Sequence, residues 1–180
     1  MKIDDIKLLY EYNYWAHKRI LNTATKVSEV QYFAPTVEGY RSLHVTLVHA
    51  LDAEWSWRLC FEERVSEPTE PATMWDYPEI TETDLPSLAA VTGKFGEQEL
   101  KMRAYLNRLT DADLNRLVRY MIPGGIVRER VLWHCLVHVM NHGTQHRSEA
   151  AYLLTSYGES PGELDMTVFM NEYFNLQREE

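Results

Sequence analysis

Cysteine is scarce in this 180-residue chain, which contains only Cys60 and Cys135 and therefore lacks the cysteine density of a disulfide-built domain. No apolar run approaches the ~18 residues of a membrane span, so we expect no transmembrane segment. The first five residues include two aspartates and no hydrophobic stretch, so we expect neither a secretory nor a mitochondrial leader, and the scarcity of cysteine favours a reducing cytoplasm. Basic side chains are also few, 18 against 27 acidic ones, and the net charge is −9. Because this charge repels phosphate backbones, we expect no nucleic-acid partner.

The rest of the composition is typical of a folded protein with a substantial core. Hydrophobic residues make up 45% of the chain, and its 180 residues suit a single domain over residues 1–180. Apolar residues recur at steps of three and four, which indicates helices rather than strands. The predicted long helices span residues 3–28, 42–62, 84–109 and 129–156, and a short final helix spans 164–177.

Two connections interrupt this helical pattern. Residues 63–84 contain three prolines and several threonines, which predict a long solvated loop. Pro123-Gly124-Gly125 lies between two short apolar runs, 118–122 and 126–127, which is typical of a β-hairpin. Four long helices with one long crossover predict an all-α four-helix bundle, with a short hairpin or loop before helix 4 and a short C-terminal helix.

Four of the seven histidines lie in the fourth predicted helix, at steps of four residues: His134, His138, His142 and His146. On a helical projection, His142 and His146 fall inside the apolar arc that the helix buries. His138 lies at the edge of this arc and His134 on its flank. Two imidazoles one turn apart on a core-facing stripe can chelate one metal ion.

A third ligand is available from the second predicted helix. His49 shares an arc with Ala50 and Trp57, whereas His44 projects roughly opposite, so we expect only His49 to reach the bundle interior. The proposed metal ligands are therefore His49, His142 and His146. Three neutral imidazoles suit a divalent ion such as Zn, Ni, Fe or Co, and they leave a position for water or substrate.

Other interpretations of these residues stay open. Inward histidines are often hydrogen-bonded core residues, so a water-linked polar network is an alternative to a metal site. No Glu follows His142, so the metalloprotease motif is absent, and no Glu-x-x-His pair of the di-iron type occurs. Glu149 and Asp52 lie near the predicted ligands on their helices. Each either orients a ligand or is simply a solvated or ion-paired carboxylate.

Four sequence segments, spread over nearly the whole chain, carry a recognisable pattern. The segments are 12–16 (Tyr-Asn-Tyr-Trp-Ala), 42–49 with Glu54 and Trp57, 138–147 (His-Val-Met-Asn-His-Gly-Thr-Gln-His-Arg) and 165–169. Together they resemble the DinB-like family of proteins. The resemblance implies an up-down-down-up four-helix bundle, commonly dimeric, that holds a divalent metal with three histidines. Carried over position by position, those ligands are His49, His142 and His146.

The resemblance also implies a chemistry, because similar proteins include S-transferases that use bacillithiol or mycothiol. The expected cofactor is a divalent metal, zinc or nickel, and the expected cosubstrates are a low-molecular-weight thiol and an electrophile. Two alternatives stay open: a metal-stabilised stress or binding protein without turnover, and a metal-dependent hydrolase. The resemblance supports metal binding more directly than it supports any reaction.

A few residues have no settled role in this interpretation. His17 stands where the family often has Asn, and it either adds a ligand, hydrogen-bonds the site or fills space. Cys60 and Cys135 both project inward, as soft metal ligands or as small apolar residues. The second helix also carries a second apolar strip, formed by Leu47, Leu51 and Trp55. A helix with two apolar faces is either wholly buried or contacts a partner, and we take the strip as support for a homodimer.

Overall fold

The structure is a computed structural model that describes residues 1–36, 41–62, 72–73, 79–122 and 125–179. Within these ranges the chain is mostly helical. The helices are α1 (Ile3–Ala24), α2 (Glu29–Phe33), α3 (Leu43–Glu62), α4 (Leu88–Arg108), α5 (Leu132–Ser156) and α6 (Met166–Glu179). The strands are β1 (Ala72–Thr73), β2 (Leu117–Ile122) and β3 (Ile126–Val131), and a 3-10 turn spans Asp113–Asn115.

The four long helices pack as a bundle, as the periodicity predicts. Helix α5 packs against α1 and α3, and α4 packs against the same two helices. Helix α2 contacts α3, and α6 contacts α1. Among the described residues, no helix is long and apolar enough to cross a membrane.

Apolar side chains form three clusters: a small one joins α1 to α6 through Tyr12, Ala16 and Phe169, and two larger ones lie at different heights of the bundle. One of these two contains Leu21 of α1, Leu51 of α3 and Leu154 of α5. The other contains Tyr10 of α1 and Leu136 of α5, together with Phe61 of α3 and Met102 of α4. Between these levels, α1, α3 and α5 carry buried polar residues instead. These residues are Asn13, His17, Glu54, His146 and Arg147.

The buried polar level is held together by hydrogen bonds between helices. Glu54 of α3 accepts hydrogen bonds from Tyr14 Oη at 2.9 Å and from Asn13 Nδ2 at 3.0 Å. Arg147 of α5 donates to Asn13 Oδ1. Burial raises the pKa of Glu54, although its hydrogen bonds and the Arg147 charge counteract part of this rise. The bundle therefore contains a hydrogen-bonded polar layer between two apolar ones.

The second apolar strip of α3 is used inside the chain. Leu47 and Leu51 are buried in the first apolar cluster, and Trp55 packs against it. Of the two explanations for a helix with two apolar faces, burial within the bundle is the one that the structure supports. The strip therefore gives no support to a homodimer, which stays a prediction.

The hairpin prediction is confirmed, with one correction to the helix that follows it. Strands β2 and β3 pair antiparallel from Leu117↔Val131 to Ile122↔Ile126. Helix α5 consequently begins at Leu132 and not at Glu129, because residues 129–131 belong to β3. Strand β1 lies within the predicted 63–84 loop and pairs parallel with β2, which makes a three-stranded sheet. Most of that loop lies outside the described residues.

Capping side chains explain the other boundary differences. The first predicted helix ends at Ala24, and Ser28 instead caps α2 by accepting a hydrogen bond from Gln31 N. Helix α4 begins at Leu88 because Ser87 accepts from Ala90 N, whereas Asp84 closes an earlier turn by accepting from Thr81 N at 2.9 Å. Asp165 accepts from Thr167 N at the start of α6, so that helix begins two residues later than predicted.

Candidate metal centre

Three histidines from two adjacent helices converge in the bundle. One potential ligand nitrogen from each of His49, His142 and His146 lies within 4.8 Å of the other two. The ring centroids are 5.3 Å apart for His49 and His142, 4.6 Å for His49 and His146, and 4.4 Å for His142 and His146. Because His142 and His146 are one turn apart on α5, which packs against α3, both imidazoles can meet the single ring from α3.

A carboxylate fixes the orientation of one of these rings. His146 Nδ1 lies 2.7 Å from Glu149 Oε2. Because a carboxylate only accepts hydrogen bonds, Nδ1 carries the ring proton and donates a hydrogen bond to Glu149. His146 Nε2 is then left with its lone pair, and it lies 3.2 Å from His142 Nε2. This is the carboxylate–histidine arrangement that orients metal-ligating imidazoles in proteins.

Two of the three imidazoles are neutral at physiological pH. Burial, helped by the charges of Arg41 and His146, lowers the pKa of His49 to about 4. Burial and the neighbouring His146 and His49 lower the pKa of His142 to about 4. A metal ion needs the lone pair of a neutral imidazole, so the low pKa favours ligation over protonation.

The arrangement fits a divalent ion with three protein ligands. Two nitrogens that each lie ~2.0–2.1 Å from a tetrahedral zinc ion are about 3.3 Å apart, close to the 3.2 Å between His142 Nε2 and His146 Nε2. No fourth His, Cys, Asp or Glu of the described chain joins the cluster. A metal held there would keep at least one position for water or substrate.

The site adjoins an apolar cavity of about 750 Å³ through Glu149 and Arg41, which both line it. Burial raises the pKa of the Glu149 carboxyl, but hydrogen bonds from His146 and Gln145 outweigh this effect and hold the pKa below its ordinary value. Glu149 is therefore ionised at neutral pH. Arg41 is exposed and lies close enough to lower the pKa values of His49 and His142.

The other candidates from the sequence lie elsewhere. His44 is buried, contrary to the expectation that it cannot reach the interior, but its Nε2 bonds the Leu85 carbonyl oxygen at 2.7 Å, away from the cluster. Asp52 Oδ1 accepts a hydrogen bond from Ile80 N at 2.8 Å, so this carboxylate anchors a loop, and this hydrogen bond involves no ligand histidine. His134 and His138 are exposed, and neither belongs to the cluster.

His17 and the cysteines also stay outside the three-histidine cluster. His17 is buried and packs 4.7 Å from the Phe95 ring, and neither ring nitrogen has a hydrogen-bond partner in the described chain. Of its three suggested roles, filling space is the one that the structure supports. Cys60 and Cys135 are buried among apolar residues, and burial raises the pKa of the Cys135 thiol to about 12.

Sequence reasoning assigned no role to two arginines near the site. Arg147 follows His146 and is buried, with its guanidinium donating to Asn13 and, at 2.7 Å, to Thr144 Oγ1. Gly143, between the two α5 ligands, leaves room for this guanidinium, since a Cβ there would lie 2.8 Å from Arg147 Nη1. The helical projection gave no signal for Arg147, because at ~100° per residue it lies ~140° from His142, outside the apolar arc. No sequence signal pointed to Arg41 either, because this residue lies outside the predicted helices.

The fold and the site define a class: a helical bundle with a three-histidine candidate metal centre in its polar layer. The model of the DinB family matches residues 2–179. The chain therefore belongs to the DinB family. It is also similar to Protein DinB of Bacillus subtilis (strain 168), at 24% identity over 177 residues, covering 91% of this chain and 94% of that protein.

Proposed function

We propose that this DinB-family protein holds a divalent metal, zinc or nickel, on His49, His142 and His146 and transfers a low-molecular-weight thiol to an electrophile. The observation that carries the proposal is the convergence of three imidazole nitrogens to within 4.8 Å, with no fourth protein ligand in the described chain. Catalytic zinc sites commonly have three protein ligands, whereas structural sites are closed by four.

The chemistry follows from this donor set. A bound divalent ion supplies Lewis acidity, which lowers the pKa of a thiol and stabilises the thiolate. The sulfur lone pair attacks the electrophilic carbon and a C–S bond forms. The bond from that carbon to its leaving group breaks, the leaving group takes the electron pair, and the thiol proton passes to solvent. Glu149 holds the His146 ring in place, and Arg41 supplies positive charge beside the site.

The proposal extends to the finer topology and assembly. We propose that the four long helices run up-down-down-up. We also propose that the protein is a homodimer and that it works in the cytoplasm. The order is supported by one apolar cluster, which joins the C-terminal ends of α1 and α5 to the N-terminal halves of α3 and α4. The homodimer has no assigned surface, because the apolar strip of α3 is used within the chain.

Metal content tests the ligand set. We expect protein purified without an affinity tag to contain one equivalent of zinc or nickel, and His142→Ala to lose it. His44→Gln is the matched control, because Gln keeps a donor for the Leu85 carbonyl and lies outside the cluster. Equal metal content in the two variants, measured by elemental analysis, would remove the proposed site.

Thiol consumption tests the reaction. We expect metal-loaded protein to accelerate the loss of bacillithiol with chlorodinitrobenzene, and the metal-stripped protein and His142→Ala to lack this activity. Hydrolysis of an aryl ester without added thiol would indicate a metal-dependent hydrolase instead. Neither activity at any metal loading would indicate a binding protein without turnover.

A further inference from the structure

A second cavity lies beside the three-histidine cluster, one turn earlier on α5. Its volume is about 320 Å³, at the lower end of the range for small-molecule sites. The residues that line it are Trp57, Tyr120, Arg130, His134, Cys135 and His138. They come from α3, α5 and the β2–β3 hairpin, so the cavity exists only where the hairpin packs on the bundle.

The cavity is basic in a protein of net charge −9. None of its lining residues is acidic. Arg130 is exposed and makes no ion pair with the described residues; its Nη1 donates only to the Glu129 carbonyl oxygen, at 2.7 Å. The Glu129 carboxylate instead lies 3.4 Å from Arg119 Nε. The Arg130 guanidinium is therefore available to a ligand.

Aromatic rings form the walls of the same cavity. The Trp57 ring centroid lies 5.1 Å from that of Tyr120 and 5.4 Å from that of His138. Trp57 is only 9% exposed, so its ring is held rigidly by the core. The thiol of Cys135 is neutral, since burial raises its pKa to about 12, and it does not repel an anion. The walls suit a flat apolar group next to the positive charge.

His138 connects this cavity to the candidate metal centre. Its ring centroid lies 6.0 Å from that of His142, and the same ring lines the cavity. A small aromatic ligand in the cavity would thus have one end at Arg130 and the other near the three histidines. Arg130 and His134 offer N–H donors, and a guanidinium can bind a carboxylate through two parallel hydrogen bonds.

We propose that this cavity binds an aromatic carboxylate, with the carboxylate on Arg130 and His134 and the flat group against the wall that Trp57, Tyr120 and His138 form. The role of this carboxylate as the electrophile of the thiol transfer rests on the proposed function. Carboxylate binding itself does not, because Arg130 and His134 are outside the three-histidine cluster.

Ligand titration of the full-length protein, with added zinc and after chelation, tests the proposal, with benzoate as the probe and the Trp57 indole signal monitored by NMR. Benzamide removes the charge of the probe and acetate removes its ring. We expect benzoate to bind more tightly than either one, and Arg130→Gln to weaken benzoate binding at least about tenfold. Arg119→Gln is the matched control, because it removes the same charge from the neighbouring strand, and residues 119 and 120 face opposite sides of the sheet.

The outcomes separate this inference from the proposed function. Benzoate bound directly by zinc would be insensitive to Arg130→Gln, and that result would overturn the proposal. Equal loss of binding in Arg119→Gln and Arg130→Gln would overturn it as well, since it would show only a general charge effect. If thiol transfer is absent but benzoate binding depends on Arg130, the carboxylate site stands and the proposed reaction fails.

Discussion

At the scale of single residues, the tautomer of His146 decides whether the three imidazoles can share an ion. The Glu149 carboxylate takes the hydrogen bond from Nδ1 at 2.7 Å, which leaves Nε2 facing His142. A neutral hydrogen-bond acceptor would orient the ring less strongly than this ionised one. Glu149 is therefore a positioning residue, which acts on a metal only through His146.

Replacing Glu149 should weaken metal binding. We expect Glu149→Gln to lower zinc affinity by ~10–100-fold, because the charge that holds the His146 ring is lost. Asp52→Asn is the control that should leave the affinity unchanged, since Asp52 bonds Ile80 N instead. Competition with a chromophoric chelator measures both affinities. An unchanged affinity in Glu149→Gln would show that packing alone orients His146.

At the scale of helices, the polar layer determines how closely α1 and α5 approach. Arg147 reaches across from α5 to Asn13 on α1, and Asn13 in turn donates to Glu54 on α3. A Cβ on Gly143 would lie 2.8 Å from Arg147 Nη1 and 3.0 Å from Asn13 Oδ1. Glycine at this position leaves room for the hydrogen-bonded side chains of Arg147 and Asn13, although its intrinsic preference disfavours the middle of a helix.

Two Gly→Ala substitutions should change stability in opposite directions. In Gly143→Ala the new methyl group must displace the buried Arg147 guanidinium, and we expect the free energy of unfolding to fall by ~1–3 kcal/mol. Gly96→Ala in α4 meets no atom within 4 Å, so we expect it to raise the free energy of unfolding by about 1 kcal/mol. Urea denaturation measures both. A stabilised Gly143→Ala would contradict the close contact between α1 and α5.

At the scale of the whole molecule, the candidate site joins two parts of the bundle that are distant in sequence. His49 lies in α3, whereas His142 and His146 lie in α5. The unfolded chain does not hold these ligands together, so an ion that binds all three favours the folded state by mass action.

Metal should therefore raise the thermal stability of the protein. At a free zinc concentration ~1,000 times the dissociation constant, the expected gain is about 4 kcal/mol. For a chain of this size, the gain corresponds to a Tm increase on the order of 10 °C. Calorimetry with and without a chelator measures it, and His142→Ala should show no increase. A wild-type Tm that is insensitive to chelation would argue for a polar network without metal.

The sequence by itself determined the four long helices, the final helix, the hairpin and the two groups of imidazoles, because helical period and turn residues are local properties of the chain. It missed the short helix α2. Spacing placed His142 and His146 on one face and His49 on the inner face of its helix. Only the tertiary structure decided which residues surround them. Asp52 and Glu149 are both partly buried and lie one helical turn after a predicted ligand, yet Asp52 accepts a hydrogen bond from Ile80 N, an atom distant in sequence, whereas Glu149 bonds His146. The same packing turned the apolar strip of α3 inward and brought Arg130 of the hairpin beside Trp57 of α3.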